Sequence, residues 1–180
     1  MGTALDTFCG QAYGAKQYRL LGIYLQRAVF VLLLASIPLA IIWAFTGQIL
    51  LHLGQNPEIS AEAGIYARWL IPSLFAYGPL QCHVRFLQSQ NIVLPMVFCS
   101  GVTVLLHMPL CWVLVAKAGY GNRGAALATA VSYWVNVVML GLYVNFSKAC
   151  RRTRVKLSNE VLTDLVAFIR LAIPSAFMIW

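Results

Sequence analysis

The stretch Leu70–Pro95, LIPSLFAYGPLQCHVRFLQSQNIVLP, sets the reading of the whole chain, because it holds an apolar run, two prolines, an embedded arginine and a polar turn in one block. No charged residue stands between Arg68 and Arg85. Their separation along a helix is about 25 Å at 1.5 Å rise per residue, close to the roughly 30 Å of bilayer hydrocarbon. Each guanidinium therefore reaches an interface along its own stem, as long basic side chains do at the ends of spanning helices. Pro72 and Pro79 each remove a helical donor and displace the carbonyl of the preceding turn, which predicts a kinked helix.

The same plan recurs on both sides. The chain of 180 residues is 61% hydrophobic and 10% charged, against about a quarter charged in soluble domains. It reads as an all-α, polytopic membrane helix bundle. The spans are expected at about residues 28–51, 64–87, 92–116 and 124–146, with residues 1–15 as the end of an earlier helix closed by Gly10 and Gly14. Residues 147–158, which include KACRRTRVK, form a basic loop that cannot lie in lipid, and residues 169–180 begin another span. Pro38, Pro72, Pro79 and Pro109 are the helix-kink candidates. The small residues Gly124, Ala125, Ala126, Ala128 and Ala130 suit close helix approach.

The formal net charge of +8 sits mostly at the ends of apolar runs. It points to lipid headgroups and topology, and no nucleic acid partner is expected. Counting Lys and Arg in alternate loops puts Lys16, Arg19, Arg27, Arg85 and the block 148–156 on the cytoplasmic side, and Arg68, Lys117 and Arg123 on the other. No basic stretch precedes an apolar run at the start, as a cleavable signal would need. The five cysteines show no CxxC spacing, so neither a disulfide framework nor a metal site is indicated; Cys150, beside the basic block, is an acylation candidate.

No catalytic constellation is present: GxSxG, a GKS or GKT phosphate loop and HExxH are all missing, so the chain is expected not to be an enzyme. Asp6 sits in a moderately apolar segment. It is either an ion-coupling group or a helix-end acid facing the cytoplasm. His52, His83 and His107 either bind metal or shuttle protons, or are interfacial or core histidines; their spacing fits no ligand motif, which favours the second reading, and no metal is expected. Arg85, with Gln81 and Gln88 near it, either meets a ligand or only helps set topology. On the fourth span, Thr129, Tyr133, Asn136 and Tyr143 recur at helical spacing as a polar and aromatic stripe. That stripe, with Gln81, is either a substrate-cavity wall or a set of interhelical hydrogen bonds.

The runs ALDTFCGQAYGAKQY (4–18), RFLQSQNIVLP (85–95), GNRGAALATAVSYWVNVVMLGLYV (121–144) and RLAIPSA (170–176), in this order, closely resemble plant multidrug and toxic compound extrusion transporters. The likeness covers essentially the whole chain. It implies a twelve-helix secondary antiporter of two six-helix lobes, with no cofactor, that expels organic cations, xenobiotics or plant secondary metabolites against a proton or sodium gradient. It also implies the lipid bilayer and small organic substrates as partners, and the plasma membrane or the vacuolar membrane as location. On that plan the four spans resemble helices three to six, and residues 169–180 resemble the start of the seventh. The first helix and the second lobe have no counterpart here, and the family's acidic residue of the seventh helix falls beyond Trp180. Tyr133 and Asn136 match a family motif. The chain is thus expected to be a fragment of such an exporter; the alternative is a truncated, non-transporting membrane protein that acts by association with a full-length relative.

Overall fold

The computed structural model describes residues 9–147 and Cys150, so Asp6, the basic loop beyond Ser147 and the apolar run 169–180 lie outside the described residues. Helical residues 9–14 come first and end in a turn where Lys16 takes φ 57° and the Gln17 N–H donates to the Ala12 carbonyl. Gly10 lies inside this helix, contrary to its expected role as terminator. The main helices are α1 (Tyr18–Ala44), α2 (Thr46–His52), α3 (Pro57–Ser89), α4 (Leu94–Trp112) and α5 (Gly121–Phe146), and a π-helical turn, Val113–Lys117, extends α4.

Among the described residues, three helices are long and apolar enough to cross a membrane: α1, α4 with its π-turn, and α5. The helix that opened the sequence reading, α3, is the longest at 33 residues, yet it falls short of the same hydropathy because Arg68, Gln81, His83 and Arg85 interrupt it. Packing accounts for the difference, since α3 lies against α1, α2 and α5 together. A helix surrounded by protein is less bound to an apolar surface than one that faces lipid.

Local signals account for the ends of α3. The Asn56 side chain accepts from the Glu58 N–H at 3.0 Å, Pro57 supplies a preset φ at the first position, and Glu58 complements the helix dipole. At the other end Asn91 adopts φ 59° and the Ile92 N–H returns to the Leu87 carbonyl at 3.0 Å. Asparagine tolerates that left-handed conformation, so the helix closes without glycine.

The first long helix begins at Tyr18, ten residues before the predicted span, and ends at Ala44, with Phe45 joining it to α2. Arg27, which the loop count placed outside the membrane, is therefore inside α1 and only 8% exposed. A single basic residue within an apolar stretch marks no boundary when the bundle encloses it. Pro38, Pro72, Pro79 and Pro109 all lie inside helices.

The interior is a cluster contributed by every long helix: Leu21, Leu25 and Val31 from α1, Leu80, Cys82, Phe86 and Leu87 from α3, Met96 and Cys99 from α4, and Leu140 and Val144 from α5. Where α4 turns into α5, an added Cβ on Gly124 would lie 2.7 Å from the Leu114 carbonyl oxygen, so only glycine fits. Cys150 is fully buried, and burial pushes its thiol up. That suppresses the thiolate which acylation requires, so the residue is a filler like Cys82 and Cys99.

Candidate functional site: the α3–α5 face

Membrane hydroxyls in this fold mostly satisfy their own helix. Ser36 donates to the Leu32 carbonyl, Ser73 to Leu70, Thr103 to Cys99, Thr129 to Ala125 and Ser132 to Ala128. Such back-bonding is the local solution in a medium without water. It leaves Thr129 able only to accept further hydrogen bonds.

The Ser60 hydroxyl is one exception and Asn136 another. Its side chain is 9% exposed, and the amide oxygen is buried with no hydrogen-bond partner among the described residues. An amide buried in this way costs on the order of 2–7 kcal/mol, depending on the reference medium. Something in the assembled protein has to meet it.

Around Asn136 the α3–α5 contact is aromatic and polar. Tyr77 of α3 and Tyr133 of α5 pack edge to face with ring centroids 5.9 Å apart. One residue on from Tyr133, the Trp134 indole N–H donates to the Pro72 carbonyl at 3.2 Å. His83 bonds the Pro79 carbonyl through Nδ1 at 2.7 Å, and His107 of α4 bonds the Ser132 hydroxyl through Nδ1 at 2.9 Å. Because the Ser132 hydrogen goes to Ala128, its oxygen accepts and His107 donates from Nδ1.

The exposed faces differ in character. On α1 exposure falls on Phe30, Leu34, Ile37, Leu39, Ile41 and Ile42, and on α4 it falls on residues such as Val97, Phe98, Leu105 and Met108, which is what lipid contact selects. On α3 the exposed large side chains in the middle of the helix are Trp69 and Tyr77. A phenol near the middle of a membrane helix belongs against protein or water, because hydrocarbon leaves its hydroxyl unsatisfied.

Of the sequence candidates, Thr129, Tyr133, Asn136 and Tyr143 all lie on α5 and Gln81 on α3; Asn136 is buried and the others are partly buried. Tyr77 and Trp134 were not singled out from the sequence, and His83 was noted there only with the histidines that fit no ligand spacing. The rhythm of α3 gives no warning of them, because its apolar residues do not form one stripe. A separate cleft of about 680 Å³ opens at the end where α2, α3 and α5 meet, lined by Thr46, Glu58, Glu62, Tyr66 and Asn122 among others. None of the candidate cavity residues lines it. At that end the Asn122 amide donates to the Glu62 carbonyl at 3.4 Å, and the Arg68 Nε donates to the Ala44 carbonyl at 3.1 Å.

The family profile described as MatE matches residues 1–113. The chain belongs to the MatE family. Among its relatives, this MatE chain is 61% identical over 181 residues to Protein DETOXIFICATION 16 of Arabidopsis thaliana, an alignment that covers 99% of the chain and 37% of the relative. It is 56% identical to Protein DETOXIFICATION 15 of the same plant, covering 99% of the chain and 38% of the relative. In three dimensions it superposes on the crystal structure of the eukaryotic MATE transporter AtDTX14 with TM-score 0.94 at 46% identity, covering 97% of this chain and 39% of that one. A multidrug resistance MATE family transporter of the MOP superfamily, in an inward-facing conformation, shares the fold at TM-score 0.77 and 18% identity, covering 97% of this chain and 40% of that one. The MatE chain therefore spans less than two-fifths of the length of these relatives. It is an integral, multi-pass membrane protein with the helical fold of one part of a MATE transporter.

Proposed function

We propose that this chain is most of the first lobe of a secondary-active antiporter that exports organic cations, xenobiotics or plant secondary metabolites in exchange for protons. The plasma membrane or the vacuolar membrane is its site of action. The observation that carries the reading is the buried, unpartnered amide of Asn136 beside the Tyr77–Tyr133 pair. A polar group kept in a membrane bundle against its desolvation cost is a functional group by default. In this proposal Thr129, Tyr133, Asn136 and Tyr143, with Gln81 opposite, form one wall of the substrate cavity, and the apolar faces of α1 and α4 meet lipid.

Alternating access follows from rocking of this lobe against the second, with Pro38, Pro72, Pro79 and Pro109 as the points that bend. An incomplete lobe forms one wall only, so export belongs to the full-length protein. The direct test is efflux of a fluorescent organic cation from vesicles that contain the full-length transporter. Export should cease when a protonophore collapses the proton gradient; export that continues unchanged refutes proton coupling.

A further inference from the structure

His83 sits in the second half of α3, one helical turn after Pro79, and is partly buried. Its Nδ1 lies 2.7 Å from the Pro79 carbonyl oxygen. A carbonyl only accepts, so Nδ1 carries the hydrogen and the lone pair of the neutral ring is on Nε2. Across the helix contact, Nε2 is the nearest atom to the place a side chain at position 141 would occupy, 4.0 Å from an ideal Cβ built there. Because residue 141 is glycine, no side chain from that position meets the basic nitrogen of His83.

We propose that His83 is a proton-binding group of this lobe, with Nε2 as the site and the α3–α5 contact at Gly141 as the element that responds. This rests on the antiporter reading for its use in transport, though not for its chemistry. A proton adds to the Nε2 lone pair, Nδ1–H stays on the Pro79 carbonyl, and the ring becomes an imidazolium of charge +1.

The surrounding groups determine what that charge does. On α3 itself the neighbouring titratable residues are Cys82 and Arg85; on α5 they are Tyr133 and Tyr143; on α1 the buried charge is Arg27. The described parts of α3 and α5 offer no carboxylate near position 83, since the acids of α3, Glu58 and Glu62, stand at its far end. An imidazolium here has cationic neighbours and no counterion on its own helix. It is stabilised by water admitted at Gly141, which requires α3 and α5 to part there. Pro79 has no N–H to tie it to the preceding turn, so the segment that carries His83 is free to tilt. Proton binding and helix separation are then one event, driven by acidification.

The test uses the full-length transporter in lipid vesicles and in nanodiscs. His83→Asn keeps a donor at the Nδ1 position for the Pro79 carbonyl and removes the titrating nitrogen. Gly141→Ala fills the space at Nε2 at ordinary contact distance. In the wild type, the ¹⁵N spectrum of labelled histidine, with His83 assigned by difference against His83→Asn, should show the Nδ1–H tautomer converting to imidazolium as the pH is lowered. Spin labels on α3 and α5 should move apart over the same range, and Gly141→Ala should shift both changes to lower pH. In transport, the ratio of export rates at about pH 6 and pH 8 should fall towards one in His83→Asn. An Nε2–H tautomer, a ring that stays neutral throughout, or label distances that do not respond would overturn the proposal. Should the wild type show no proton-driven export, the antiporter reading fails, and the spectra and distances still decide the role of His83.

Discussion

Arg68 on α3 donates from Nε to the carbonyl of Ala44, the last residue of α1, at 3.1 Å. From the sequence alone Arg68 is one of a pair of snorkelling arginines. In the fold it is also the cap of another helix, binding a carbonyl at the negative end of the α1 dipole. The contact ties the end of α1 to α3, where α2 starts. Arg68→Ala should raise hydrogen exchange at residues 44–50 and cost about 1.5 kcal/mol in thermal stability, the low end for a charged hydrogen bond because the side chain is exposed. Unchanged exchange there would show that the contact contributes nothing.

Trp134 and Pro72 make the corresponding tie in the middle of the α3–α5 contact. Replacing the indole by Phe keeps an aromatic ring and deletes the donor. The expected loss is about 0.6–2 kcal/mol, the range found for interhelical hydrogen bonds in membranes, read as a lower midpoint in a thermal or SDS unfolding series. Trp134→Leu should lose more, since packing goes with the bond.

Gly124→Ala is predicted to be the most damaging single-methyl change in the chain. Its Cβ would stand 2.7 Å from the Leu114 carbonyl oxygen and 2.9 Å from the carbonyl carbon, atoms of backbone that cannot rotate away. Overpacking of that kind costs typically 1–3 kcal/mol, and here it would also dislodge the π-turn that leads into α5. Gly101→Ala is the matched control, because an added Cβ meets nothing within 4 Å there. Folded yield measured by fluorescence-detected size exclusion should drop for the first and hold for the second.

Much of this architecture was legible in the residues, for reasons that can be named. Leu94–Trp112 and Gly121–Phe146 announce themselves by uninterrupted apolar length, and Asn56, Pro57 and Glu58 mark the start of α3 with an N-cap, a preset φ and a first-turn acid. The beginning of α1 did not, because Arg27 looks like a boundary until the bundle is seen to enclose it. The stripe on α5 showed in the 3.6-residue period, whereas its partners on α3 did not. Tyr77 and Trp134 act through atoms that meet across helices, and no spacing within one helix encodes such meetings. Asn136 belongs to that stripe, yet only its burial reveals that the amide oxygen lacks a partner among the described residues.

The measurement that bears most directly on the cavity wall is Asn136→Leu in the full-length transporter, with substrate affinity and thermal stability read on the same preparation. The account predicts that they move in opposite directions. Removing an unpaired buried amide in favour of an apolar side chain of similar size should raise the unfolding midpoint, while binding of an aromatic cation weakens by about tenfold, the equivalent of 1.4 kcal/mol. Stability that falls while affinity is unchanged would contradict it, and would mark Asn136 as a structural residue bonded to another part of the protein.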